Sequence, residues 1–276
     1  MLPFFLFLRL YFQNKMNYAL VTGGCSGIGF AYASVLAEQG YDVLIVSNKE
    51  SENEIAANRL KEHYHVDVRT YAIDLARVDA AQELFDFCRR EALVVEVLVN
   101  NAGMFYFDLI TQVPLARTAA MLELHITTPA LLCALFGGEM KKRGKGYILN
   151  AASICAWMQF PGLAVYANSK LFLKGFTRSL ASEFNDFGVN VCAVCPGAVD
   201  TDLYNLTPEI RKKCRRWGVM LSPEQVARKG VKALLKGKVW YVPGKINFLF
   251  IFLVKIAPHS FINFLKRKLK LFTKNA

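Results

Sequence analysis

Residues 18–46, YALVTGGCSGIGFAYASVLAEQGYDVLIV, decide the fold. The stretch opens with a short apolar run containing β-branched residues, which predicts a strand. Residues 27–40 space their apolar side chains as a helix does and end at a glycine. Residues 41–46 again have the pattern of a strand. Together they predict one βαβ unit with a glycine-rich loop between its first strand and its helix.

The same alternation continues along most of the chain. Strands alternating with helices of ten or more residues predict a parallel sheet that is covered on both faces. We therefore expect an α/β fold with a doubly wound parallel sheet of the Rossmann type, in a single domain. Further strands are predicted at 68–73, 95–100, 146–152 and 189–197, and helices at 51–65, 79–92, 115–144 and 164–188.

Composition excludes several classes of protein. Of the 276 residues 54% are hydrophobic, which is too many for a disordered chain. The seven cysteines are scattered and odd in number, so we expect a reducing, cytoplasmic location rather than a secreted disulfide scaffold. Cys192 and Cys195 imitate a redox motif, but on a strand their odd spacing sends the thiols to opposite faces. No metal site is predicted.

The net charge of +12 lies at one end of the chain. From Arg228 onward there are twelve Lys or Arg residues and no Asp or Glu, which leaves residues 1–227 neutral. A basic tail indicates nucleic acid or an anionic membrane surface as partner.

The chain divides into three parts. Residues 1–15 are an apolar arm that lacks the features of a signal peptide; it is either a short membrane-touching arm or untranslated, with a start at Met16. Residues 16–245 are the expected dinucleotide-binding catalytic domain. Residues 246–276 are a basic apolar tail.

The loop after the first strand is a candidate phosphate site. Gly23, Gly27 and Gly29 permit a tight turn and the close approach of a pyrophosphate. The helix that follows directs its free N–H groups at that anion.

With NNAG at 100–103, Ser153 and YANSK at 166–170, the chain resembles the short-chain dehydrogenase/reductase family over about residues 17–243. Within that family it looks like the membrane-associated branch of 3-oxoacyl reductases and hydroxysteroid dehydrogenases. The resemblance implies an oxidoreductase that acts on a small-molecule carbonyl or alcohol. The alternative is a catalytically silent protein with the same fold that serves as a cofactor-binding or membrane-associated scaffold. For a cofactor-binding scaffold we would expect Ser153, Tyr166 or Lys170 to be replaced, and none is.

The resemblance implies the catalytic roles. Ser153 would hydrogen-bond the substrate carbonyl oxygen and Tyr166 would exchange the proton on that oxygen. Lys170 lies one helical turn beyond Tyr166, where its charge favours the phenolate and where it also reaches the nicotinamide ribose.

The resemblance also implies which residues line the cofactor cleft. Asp74 would contact the adenine, and the segment 196–201 would lie against the nicotinamide carboxamide. The full set of expected cofactor-binding residues is Thr22, Gly23, Gly27, Ile28, Gly29, Asn48, Lys49, Asp74, Asn101, Ala102, Gly103, Tyr166, Lys170, Pro196, Gly197, Val199 and Thr201.

One position departs from the family pattern. Where the family carries an asparagine that holds a relay water, MLELHITTP at 121–129 has His125. His125 is either a substitute proton relay, because imidazole both accepts and donates, or a partly buried structural histidine.

The end of the second strand selects the cofactor. A carboxylate there would bind the ribose of NAD and repel a 2′-phosphate. The sequence has Ser47, Asn48 and Lys49 instead, with Glu50 following. We therefore expect NADP(H) to be preferred over NAD(H).

Two further segments bear on partners. Residues 203–218, LYNLTPEIRKKCRRWG, occupy the place of the family's substrate lid, and their cations meet either an acidic substrate or solvent. In the tail, SFINFLKRKLKLF at 260–272 interleaves apolar residues with cations, which favours an anionic membrane interface over nucleic acid. The other interpretation is a tail packed against the domain or a second subunit, so a homo-oligomer stays open.

Overall fold

The computed structural model describes residues 17–158, 160–201 and 220–268, with positions 207, 209, 212, 213 and 216 between the last two ranges. The strands, in chain order, are β1 (Asn17–Thr22), β2 (Asp42–Ser47), β3 (Val68–Ala72), β4 (Val94–Asn100), β5 (Gly146–Ala151), β6 (Val189–Val194), β7 (Ala198–Val199), β8 (Met220–Leu221) and β9 (Trp240–Tyr241). Seven of them form one parallel sheet in the order β3-β2-β1-β4-β5-β6-β9, and β7 pairs with β8. The prediction of a doubly wound, single-domain α/β fold is confirmed.

Helices connect the strands and cover both faces of the sheet. They are α1 (Gly27–Glu38), α2 (Glu50–Tyr64), α3 (Ala80–Arg90), α4 (Leu115–Leu122), α5 (Thr128–Arg143), α6 (Ala164–Phe184), α7 (Pro223–Leu235), α8 (Lys245–Ile256) and α9 (His259–Lys268).

The period of two along each strand divides the core between the two faces. In β1, Ala19 and Val21 pack with α1, α2 and α7, whereas Leu20 packs with α3, α5 and α6. Cys192 and Cys195 follow the same rule, since they are buried in different clusters on opposite faces.

The long predicted helix is interrupted. A π-helical turn at Glu123–Thr127 separates α4 from α5, and it carries His125 into the interior. Such a turn holds one residue more than an α-helical turn, so apolar spacing alone does not reveal it.

Among the described residues, the stretch Leu115–Arg143 is long and apolar enough to cross a membrane. Its side chains Met121, Leu132 and Met140 are fully buried in this fold, so it serves as a core helix. The arm 1–15, most of the expected lid and the last eight residues of the tail lie outside the described residues.

Candidate active site

A cleft of about 660 Å³ opens at the carboxyl ends of the parallel strands. This is where ligands bind in open α/β sheets. Every expected site residue except Thr22 lines it. The cleft is also lined by residues for which the sequence predicted no role, among them Cys25, Ser26, Tyr32, Ile73, Leu75, Met104, Leu124 and Asp200.

The glycine-rich loop forms one wall of the cleft. Gly23 has φ of +65°, and a Cβ there would lie 3.0 Å from the Cα of Ala102. A Cβ on Gly29 would overlap the carbonyl oxygen of Gly23. Only glycine allows this packing, and it leaves the amino end of α1 facing the cleft. The cradle therefore fits the pyrophosphate of a dinucleotide.

Thr22 is buried behind the cleft wall and does not line the cleft, so its expected role as a cofactor contact stays a prediction. Its Oγ1 accepts hydrogen bonds from the backbone N–H groups of Asn101 (2.9 Å) and Ala102 (3.0 Å) and donates to Val99 O (3.2 Å). The Asn101 amide donates in return to Thr22 O at 3.0 Å. Thr22 thus joins the glycine-rich loop to the loop after β4.

Ser153, Tyr166 and Lys170 converge at the other end of the cleft. Ser153 follows β5, and its Oγ accepts a hydrogen bond from Cys155 N at 3.1 Å, which starts a short 3₁₀ turn at Ile154–Trp157. Tyr166 lies in the first turn of α6, with the ring of Phe105 packed edge-on at 4.9 Å between centroids.

Lys170 is a buried cation. Its Nζ donates to Ala151 O at 2.9 Å and lies 5.8 Å from the centroid of the Tyr166 ring. Burial lowers the pKa of Lys170 from 10.5 to about 8. The ammonium therefore stays largely protonated at pH 7, within electrostatic range of the phenol.

His125 has both ring nitrogens engaged. Nε2 accepts a hydrogen bond from Met104 N at 3.0 Å, so the proton lies on Nδ1, which donates to Ser169 Oγ at 3.0 Å. The Ser169 hydroxyl donates to Tyr166 O at 2.8 Å. Burial, with a contribution from Lys170, holds the pKa of His125 well below its usual range. This geometry favours the structural interpretation, because neither nitrogen is left to bind a relay water.

A buried polar ladder supports the site from beneath. The Asn100 amide donates to Asn150 Oδ1 at 2.9 Å, and the Asn150 amide donates to Thr177 Oγ1 at 2.9 Å. Because buried amides are costly to leave unpaired, the ladder holds β4, β5 and α6 in one register. No motif or periodicity in the sequence indicates these supporting roles of Asn150, Thr177 and Ser169.

The end of β2 presents a cation paired with a carboxylate. Lys49 Nζ lies 2.7 Å from Glu52 Oε1, and both side chains are about half exposed. The pairing raises the pKa of Lys49. Glu50, which the sequence pointed to as the nearby acid, is exposed and does not line the cleft. Glu52 is the carboxylate that competes for this cation.

Comparisons with known proteins agree with the fold and with the family resemblance. Residues 17–211 match the family model described as short chain dehydrogenase. The chain is 32% identical over 193 residues to the very-long-chain 3-oxoacyl-CoA reductase of Mus musculus, a match that covers 68% of this chain and 61% of that enzyme.

Two solved structures have the same architecture. A 7β-hydroxysteroid dehydrogenase superposes with a TM-score of 0.82 at 21% identity, covering 90% of this chain and 96% of that one. The L-sorbose reductase of Gluconobacter frateurii, solved with NADPH and L-sorbose, gives a TM-score of 0.73 at 25% identity, covering 83% and 95%. The chain therefore belongs to the short-chain dehydrogenase/reductase family, whose members are oxidoreductases that act on alcohol and carbonyl groups with NAD(P)(H).

Proposed function

We propose that this protein is an NADP(H)-dependent oxidoreductase that interconverts the carbonyl and alcohol forms of a lipophilic substrate. The observation that carries the proposal is the presence in one cleft of a glycine cradle, Ser153, Tyr166 and Lys170. The bound cofactor would supply or accept the hydride.

The chain's own residues would handle the oxygen and its proton. Ser153 offers a hydroxyl that hydrogen-bonds the carbonyl oxygen and fixes its position. Tyr166 donates the proton to that oxygen during reduction and removes it during oxidation. A free phenol ionises near pH 10, so a neighbouring cation is needed to favour the phenolate at neutral pH. Lys170 is the cation placed to do so.

Lys49 supports a preference for NADP(H). Its ammonium stands at the cleft wall where β2 ends, and Ser47 and Asn48 bring no carboxylate to meet a 2′-phosphate. The solved relative with 25% identity holds NADPH. Lys49 must release Glu52 to bind the 2′-phosphate of the cofactor. The preference for NADP(H) therefore depends on how strongly Lys49 binds the phosphate compared with the Glu52 carboxylate.

Apolar side chains around Tyr166 support a lipophilic substrate. Tyr106, Val113, Met121 and Leu163 form a buried cluster with it, and Met104, Phe105 and Phe160 pack against that cluster. The similarity to a very-long-chain 3-oxoacyl-CoA reductase favours fatty 3-oxoacyl thioesters, with hydroxysteroids as the competing class.

The tail supports docking on an anionic membrane from the cytoplasmic side. Helices α8 and α9 expose Phe248, Phe252, Phe261 and Phe264, while Lys255 and Lys268 stand beside them. Aromatic and leucine side chains interleaved with cations are typical of helices that lie in a lipid interface.

The proposal is tested with purified enzyme, NADPH and a panel of carbonyl substrates. The panel contains 3-oxoacyl thioesters of graded chain length, together with oxosteroids. Loss of the reduced-nicotinamide absorbance band, abolished in Tyr166→Phe, is the expected result. A wild-type protein that binds NADPH and reduces no member of the panel would favour a silent scaffold. Vesicle co-sedimentation of the full chain and of residues 1–245 tests the docking separately.

A further inference from the structure

Helix α8 presents two different faces. Asn247 and Ile251, one turn apart, are buried against the domain. Seven apolar side chains on the rest of the helix are 40% to 61% exposed. This outer face consists of Ile246, Phe248, Leu249, Phe250, Phe252, Leu253 and Ile256, and exposure is greatest at Ile256, Phe252 and Leu249, on the side opposite Asn247.

The inner face contacts the cofactor cleft through Asn247. Its Nδ2 donates to Pro243 O at 2.5 Å, which holds the amide flat against Gly197. A Cβ on Gly197 would lie 2.8 Å from that Nδ2 and 2.9 Å from Cγ. Gly197 and Pro196 line the cleft. Asn247 is therefore the support directly behind this part of the cleft wall.

The same loop is linked to the turn that follows Ser153. Ile154 N donates to Pro196 O at 2.9 Å. Ile251 packs into the buried cluster that contains Ala152 and Cys195, with Ile154 and Trp157 at its edge. Seating α8 thus buttresses both the cofactor loop and the backbone that carries the catalytic serine.

Two buried side chains are a weak anchor for twelve residues. A helix of this length is marginal by itself, and local opening of an element with few buried contacts requires little free energy. A lipid surface would cover the outer face of α8, and the cations of the tail match an anionic one. The Asn247 amide would lose its hydrogen bond in lipid, so the inner face keeps its place on the domain.

We propose that Asn247 is a positioning residue that couples an anionic lipid surface to the cofactor cleft: seating α8 in the interface holds Asn247 against Gly197 and so tightens cofactor binding. The inference rests on the proposed function, both for NADP(H) as ligand and for the tail as membrane dock. It adds a coupling free energy between two sites that lie on opposite faces of one helix.

The test measures NADPH affinity by nicotinamide fluorescence, with and without vesicles of phosphatidylcholine containing phosphatidylserine. For the wild type, vesicles should lower the Kd about fivefold or more, the lower range of measured couplings. Phe248→Ser with Phe252→Ser should keep the lipid-free Kd, bind vesicles poorly and lose the shift. Asn247→Ala should still sediment with vesicles, bind NADPH more weakly and show no shift.

Asn247→Asp is the second variant in case the alanine change unfolds the chain, since it keeps the volume against Gly197 and removes the donor to Pro243. Hydrogen exchange of α8 amides gives a readout independent of the cofactor, and vesicles should slow it. An unchanged Kd in wild-type protein that sediments with vesicles overturns the coupling alone, as does a full shift in Asn247→Ala. If the wild-type protein does not sediment with vesicles, the membrane docking is wrong and the coupling with it. If it does not bind NADPH, the cofactor assignment is wrong and the coupling with it.

Discussion

Replacing Lys170 with methionine should stabilise the cofactor-free protein while abolishing its chemistry. Lys170 is 6% exposed, and burial lowers its pKa from 10.5 to about 8. At 1.36 kcal/mol per pH unit, keeping this ammonium charged in the folded chain costs on the order of 3 kcal/mol at pH 7. Methionine has a similar length and no charge, so it removes that cost. The substitution also leaves Ala151 O without its hydrogen-bond donor, which destabilises the folded protein by about 1 to 2 kcal/mol. The expected net gain at pH 7 is about 1 to 3 kcal/mol.

The pH dependence gives this prediction its sign. Below about pH 8 the lysine is protonated in both the folded and unfolded chains, so the difference between variant and wild type is constant. Between about pH 8 and 10.5 Lys170 is protonated in the unfolded wild-type chain and neutral in the folded one. The free energy of unfolding of the wild type therefore rises with pH relative to that of the variant. The stability advantage of Lys170→Met over the wild type should therefore decrease between about pH 8 and 10.5.

The assay is urea unfolding without cofactor, at pH 7 and at pH 9.5, followed by tryptophan fluorescence. Lys229→Met, the same change on the exposed face of α7, is the matched control and should stay within about 0.5 kcal/mol of wild type. The prediction is wrong if Lys170→Met is less stable than the wild type at pH 7. It is also wrong if the difference in free energy of unfolding between the two proteins is as large at pH 9.5 as at pH 7.

Three further predictions concern the cleft. Lys49→Ala should raise the Kd for NADPH about tenfold, leaving NADH unchanged, whereas Glu52→Gln should lower the Kd for NADPH by freeing Lys49; calorimetry that finds both cofactors equally affected would contradict this. Tyr166→Phe should lower turnover by roughly 10²-fold with little change in NADPH affinity, and normal turnover would remove Tyr166 from the chemistry. His125→Asn should lower kcat without moving any inflection of the pH–rate profile, because His125 is held neutral; a histidine inflection near pH 6 to 7 in wild type that the variant loses would restore the relay.

Much of the fold was predictable because its signals are local. Most strands of the parallel sheet are short apolar runs bounded by turn residues, and helices such as α3 and α7 carry their apolar side chains on one face. The glycine cradle and the pair Tyr166 and Lys170 were also predictable, since each occupies a single loop or one face of one helix. The family assignment and the class of enzyme are confirmed by the match to the family model and by the similarity to a reductase.

The features that were not predictable from the sequence depend on contacts between segments far apart in the chain. The state of His125 is set by Met104 N and by Ser169, which come from a loop and from α6. The role of Asn247 arises from a contact with Gly197 that no periodicity contains. The pair Lys49 and Glu52 was predictable from the sequence, because Glu52 lies three residues beyond Lys49 at the start of a helix.

The contact between Gly197 and Asn247 also has a consequence for how this sequence can change over time. A side chain at position 197 would collide with the amide, and a smaller residue at position 247 would leave the loop unsupported. The two substitutions are thus strongly non-additive, each harmful alone and each partly compensated by the other. In diverging descendants of this chain, positions 197 and 247 should vary as a pair. A lineage that acquires a β-carbon at 197 should already have shortened residue 247.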